Sequence, residues 1–96
     1  MFFGKRIKEL RDEKKLLQRQ LAAELEIDTP MYSKIERGER RPKREQVIKL
    51  AHLLGADQNE FIALWLASQV FQIIENESQA ARAIELVTMN LNKKNN

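Results

Sequence analysis

The chain has 96 residues, 43% of them hydrophobic and 32% charged, with a net charge of +3 at pH 7 and no cysteine. That is the size of one small domain with a short appendage, and it excludes disulfides and thiolate metal sites. The Met1-Phe2-Phe3 run is too short for a signal peptide, and no stretch approaches the ~18 apolar residues of a membrane span, so a cytoplasmic protein with no membrane partner is expected.

Every periodic segment reads as helix, and none alternates with the period of a strand. The first helix is expected over 3–14, with Phe3, Ile7 and Leu10 on one face and Lys5, Lys8, Glu9, Asp12 and Glu13 on the other. The second is expected over 18–25, with Leu21, Ala22 and Leu25 inward. A short turn, Glu26-Ile27-Asp28, leads to a third over 29–37. Asp28 suits the N-cap, because its carboxylate accepts from the free amides of the first turn. Pro30 is tolerated there, since those amides have no partner within the helix, and Gly38 suits the stop. Ile27, Tyr32 and Ile35 face inward, which leaves Thr29, Pro30, Ser33, Lys34 and Arg37 outward.

The fourth helix is expected over 43–54, after Pro42 and before Gly55, burying Val47, Leu50, Ala51 and Leu54. The fifth, over 58–75, is apolar on two arcs. Ile62, Leu66, Val70, Ile73 and Ile74 form one; Phe61, Leu64, Trp65 and Phe71 form nearly the opposite one. A helix apolar on both sides must be covered on both sides. The sixth, over 78–91 with Asn76 or Ser78 as cap, carries Ala80, Ile84, Val87 and Leu91 at 4-3-4 spacing. The polar tail, 92–96, is expected to fray.

The second helix, its short turn and the third helix make a helix-turn-helix arrangement, whose second helix is short enough to enter a DNA major groove. Charge agrees with a polyanion partner: residues 1–49 carry 14 Lys/Arg against 9 Asp/Glu, and residues 50–96 carry 3 against 5. The run Gln18-Arg19-Gln20-Leu21-Ala22, then Ile27-Asp28, Ser33-Lys34-Ile35-Glu36-Arg37-Gly38 and Arg41-Pro42, resembles the phage-repressor (Xre/Cro) helix-turn-helix family. Leu50-Ala51 through Leu54-Gly55 resembles its fourth helix, so the likeness spans about residues 4–64.

The resemblance implies an all-α fold: a five-helix lambda-repressor-like DNA-binding domain with an additional C-terminal helix. It also implies roles. Thr29, Pro30, Ser33 and Lys34 sit where the family reads bases, with Met31 able to add an apolar contact. Gln18, Arg37, Arg40, Arg41, Lys43 and Arg44 sit where it contacts phosphates. Arg11 and Glu36 match a structural ion pair bridging the first helix to the third. Three positions depart from the pattern. Leu17 stands where Ser or Thr usually caps the second helix, Glu26 where the turn often has Gly, and Pro30 has no amide to donate.

The expected division is a helix-turn-helix core over 1–56 and a C-terminal helical extension over 57–96 that dimerises, the alternative being a helical hairpin that only closes the core of a monomer. Phe61, Leu64, Trp65, Phe71, Ile84, Val87 and Leu91 are the candidates for the dimer interface. The expected function is a sequence-specific duplex DNA-binding transcriptional regulator, a repressor or autoregulator acting as a homodimer on a roughly palindromic operator. Two alternatives stay open: a restriction-modification controller protein, and an antitoxin or adaptor acting mainly through protein contacts of the last two helices. One histidine and no cysteine cannot make the usual metal sites, and no nucleophile–base pair or phosphate loop is present, so no enzyme, cofactor, metal or small-molecule ligand is expected. His52 reads as a surface or satisfied packing side chain rather than a catalytic base.

Overall fold

The computed structural model describes residues 2–94; Met1, Asn95 and Asn96 lie outside the described residues. Six helices make up the fold: α1 (Phe2–Glu13), α2 (Gln18–Glu24), α3 (Thr29–Glu36), α4 (Arg44–Leu53), α5 (Gln58–Ile74) and α6 (Ala80–Lys94). No strand occurs among the described residues. The sixth helix continues through Lys94, so 92–94 are helical where fraying was expected from their polar character.

Four of the helices end in the same way. After α1, α2, α3 and α4 the chain turns left-handed at Lys15, Glu26, Gly38 and Gly55. In each case the next amide reaches back five residues: Leu16 to Arg11, Ile27 to Ala22, Glu39 to Lys34 and Ala56 to Ala51. This satisfies carbonyls that a helix end leaves free. Glycine enters that conformation without a Cβ clash, but Lys15 and Glu26 adopt it at φ 56° and 59°. The turn of the helix-turn-helix thus keeps its left-handed step despite lacking glycine.

The N-termini divide into two kinds. Asp28 accepts from the Met31 amide at 2.7 Å, and Asp57 accepts from the Asn59 amide at 2.7 Å. At α2 and α4, with Leu17 and Lys43 in the cap position, the third-position glutamine accepts from the cap amide instead: Leu17 N–H to Gln20 at 2.7 Å, Lys43 N–H to Gln46 at 2.9 Å. Gln20 thus partly replaces the missing cap at Leu17.

The core gathers Phe3 and Ile7 of α1, Leu21 and Ala22 of α2, Tyr32 and Ile35 of α3, Val47, Leu50 and Ala51 of α4 and Phe61 of α5, with Leu25 and Leu54 beside them. Phe3 and Phe61 meet edge to face at 5.4 Å. Gly4 lets α1 press on the end of α3, where a Cβ would lie 2.4 Å from the Glu36 carbonyl oxygen. Above it, the buried Ser68 hydroxyl of α5 accepts from the Phe3 amide at 3.0 Å and donates to Leu64 O at 2.9 Å, so α5 caps α1.

The structure corrects the assignment of the two arcs of α5. Phe61 is only 1% exposed, and Leu64 and Trp65 pack partly buried against the same core. These three were expected at a dimer interface, but they close their own domain. Of the other arc, Leu66, Val70 and Ile73 are left outside, the last 76% exposed, while Ile62 packs against the core and Ile74 is half-buried. Helical spacing resolves two arcs but does not say which faces inward. Phe71 stays on the surface at 41% exposure, its ring 5.2 Å from that of Phe2. No residue of α6 is buried, and Ile84, Val87 and Leu91 are all exposed. The radius of gyration, 15.1 Å, exceeds the ~12–13 Å of a compact chain this long, as a projecting helix requires.

Candidate nucleic-acid interface

The exposed face of α3 is set by its inner one. Tyr32, Ile35 and Glu36 are buried, which turns Thr29, Pro30 and Lys34 to solvent, with Ser33 and Met31 half-buried at the margins. Among the described residues Lys34 makes no ion pair or side-chain hydrogen bond, so its ammonium is available to acceptors such as the O6 and N7 of a guanine.

Beneath this face lies a buried cluster. Arg11 grips Glu36 with two parallel bonds, Nε to Oε2 at 2.7 Å and one terminal nitrogen to Oε1 at 3.1 Å, and its other terminal nitrogen donates to Leu16 O at 2.9 Å. Gln18 Nε2 donates to Glu36 Oε1 at 3.0 Å. The two charged side chains are 11% and 3% exposed. Burial pushes the Glu36 carboxyl up, but the hydrogen bonds of Arg11 and Gln18, the nearby Tyr32 hydroxyl and the charge of Arg11 outweigh it, leaving the group below its ordinary value. The same hydrogen bond, against the cost of burial, raises Arg11. The Tyr32 hydroxyl is buried next to Glu36 without reaching ordinary hydrogen-bond geometry. Burial first, and the neighbouring carboxylate second, hold it neutral. One cluster therefore ties the end of α1, the start of α2 and the end of α3 together. Gln18, expected to point at a phosphate, spends one amide hydrogen on Glu36 and keeps a second.

The cationic residues lie along the connection from α3 to α4. Arg37 donates to Ser33 Oγ at 2.6 Å and pairs with Glu39. Arg40 and Lys43 are exposed. Arg41 donates to Gln69 Oε1 at 3.1 Å, and the Arg44 guanidinium lies 5.2 Å from the centre of the Trp65 ring. The sequence places these cations on one segment, while their partners on α5 and the roles of Gly4 and Ser68 come from the structure. Signals existed: a glycine inside a helix costs about 1 kcal/mol relative to alanine, and a serine in the middle of an apolar arc needs a partner.

This short helix, turn and exposed second helix, held by a buried ion pair, matches a known family profile, Helix-turn-helix, over residues 7–57, just over half the chain. The protein belongs to the helix-turn-helix family of the phage-repressor type. The matched span takes in α2, α3 and α4 whole and the second half of α1. The match ends at residue 57, before α5 and α6. No curated protein and no solved structure matches the chain. Among the described residues no helix is long and apolar enough to cross a membrane.

Proposed function

We propose that this helix-turn-helix protein is a sequence-specific transcriptional regulator, a repressor or autoregulator, that binds a roughly palindromic operator as a homodimer. The observation that carries the reading is the solvent-facing side of α3. It combines polar groups at Thr29 and Lys34, with Ser33 at its margin, and a flanking row of cations from Arg37 to Arg44. Thr29, Pro30, Ser33 and Lys34 read base edges; Gln18, Arg37, Arg40, Arg41, Lys43 and Arg44 contact phosphates. Phosphate contacts supply salt-dependent affinity and base contacts supply selectivity.

The dimer reading rests on apolar surface that one chain leaves uncovered. Leu66, Val70 and Ile73 of α5 and Ile84, Val87 and Leu91 of α6 are each 38–76% exposed. A standard interface buries ~800 Å² on each partner, and three such residues on each of two helices give apolar surface for a second copy to cover. Ala80, Ile84, Val87 and Leu91 follow the spacing of a coiled-coil seam. A two-fold pair would set two copies of α3 about 34 Å apart, one DNA turn, for two half-sites.

Sedimentation of the protein, alone and with a pool of random-sequence duplex at two salt concentrations, tests this. The expected result is a dimer that binds duplex at low salt and selects a two-fold symmetric sequence. A monomer that neither binds nor selects DNA would overturn it and favour the adaptor reading, in which the same exposed face grips another protein.

A further inference from the structure

The connection between α3 and α4 carries most of the cations of the interface, yet it has little structure of its own. Among the described residues, Arg40, Arg41 and Pro42 make no backbone–backbone hydrogen bond. What meets this segment is one face of α5. Trp65 Nε1 donates to Pro42 O at 3.0 Å, the Trp65 ring underlies Arg44 at 5.2 Å, and one turn later Gln69 Oε1 accepts from Arg41 at 3.1 Å. Gln69 is itself steadied by a long contact from its Nε2 to Trp65 O at 3.4 Å. Between these two residues Ser68 fixes α5 to the start of α1. A cleft of about 230 Å³, lined by Arg40, Arg41, Trp65 and Gln69, lies between the segment and α5, and within the segment only Pro42 is buried.

We propose that Trp65 and Gln69 are positioning residues for DNA binding, which hold Arg41, Pro42 and Arg44 in register for the phosphate backbone without touching it themselves. The inference rests on the DNA-binding reading above and extends the interface onto a helix outside the part of the chain that matches the family. A guanidinium has five N–H donors, and Gln69 engages one nitrogen of Arg41, so the rest remain free for a phosphate. Ordering such a side chain before the encounter removes an entropic cost that binding otherwise meets, corresponding to roughly a 2- to 10-fold change in affinity.

The test is titration of a labelled random-sequence duplex with the full chain at several salt concentrations. Gln69→Ala is expected to weaken binding about 2- to 10-fold at each salt, with the salt slope unchanged because no cation is lost. Arg41→Ala is expected to lower the slope by about 0.9, the share of one phosphate. The double variant should bind like Arg41→Ala alone, since Gln69 acts through Arg41. Trp65→Phe, which keeps a ring but loses the donor to Pro42, should weaken binding with the slope again unchanged. Sedimentation and the urea midpoint of Gln69→Ala should match the parent protein. A Gln69→Ala protein that binds as the parent does, or whose loss persists in the Arg41→Ala background, overturns the proposal alone. A parent protein that binds no duplex at low salt overturns the DNA reading, and this proposal with it.

Discussion

Removing the Arg11 side chain takes the paired charge from Glu36, a carboxylate only 3% exposed in the parent protein, and leaves Gln18 as its remaining hydrogen-bond donor at ordinary distance. Breaking a buried pair from one side costs about 3–5 kcal/mol, because the other charge stays buried and uncompensated. A domain of this size has only about 5–15 kcal/mol in total, so Arg11→Ala should lose a large share of its stability at pH 7. Acidity gives the loss a distinctive sign. In the parent protein the Glu36 carboxyl is held below its ordinary 4.5 despite burial, so its contribution is complete above that pH and is lost as pH falls through the lower folded value. Without Arg11, burial dominates and the folded value rises above the unfolded one. The contribution of Glu36 then improves on acidification from pH 7 towards 4.5, and the gap between variant and parent narrows. Urea unfolding followed by the fluorescence of Trp65, the single tryptophan, reads both effects. The double variant Arg11→Met/Glu36→Leu, which buries no charge, should lose less than Arg11→Ala alone. A loss under about 1 kcal/mol at pH 7, or a gap that widens on acidification, refutes this account of the cluster.

Gly4→Ala should destabilise by about 2 kcal/mol or more, since a Cβ 2.4 Å from the Glu36 carbonyl oxygen forces α1 and α3 apart; an unchanged Tm would refute the close approach. Glu26→Gly should stabilise by up to about 1 kcal/mol by relieving the left-handed strain at φ 59°, measured by the urea midpoint. Asp28→Ala removes the acceptor for the Met31 amide and should cost about 1 kcal/mol, with helix content lost first at the start of α3 by hydrogen exchange.

The legible parts of the fold are those where residue type and backbone requirement coincide. Gly38 and Gly55 announce the ends of α3 and α4, and Asp28 announces the start of α3. Lys15 and Glu26 make the same left-handed turn with side chains that announce nothing, because the carbonyls they satisfy are set by the chain after them. The pairing of Arg11 with Glu36 comes from a resemblance; nothing in local periodicity links two residues 25 apart. The outer face of α3 follows from its inner face, and so was readable. The orientation of α5 was not: two apolar arcs are nearly equivalent in sequence, and the choice depends on Ser68 meeting the start of α1 and on the indole reaching Pro42. The contacts of Gln69 and Trp65 with the cationic segment are tertiary and leave no local mark.

The bare exterior of α6 has a kinetic consequence. A 15-residue helix with no buried side chain depends on its own hydrogen bonds, and helices of that length are marginal in water. Its amides should exchange with solvent through local opening, at rates set by fraying, while amides near Ile7, Tyr32 and Leu50 wait for global unfolding. The chain is then two units of unequal lifetime on one backbone. Whatever surface comes to cover α6 is read out as the slowing of that exchange, residue by residue, from Ala80 to Lys94.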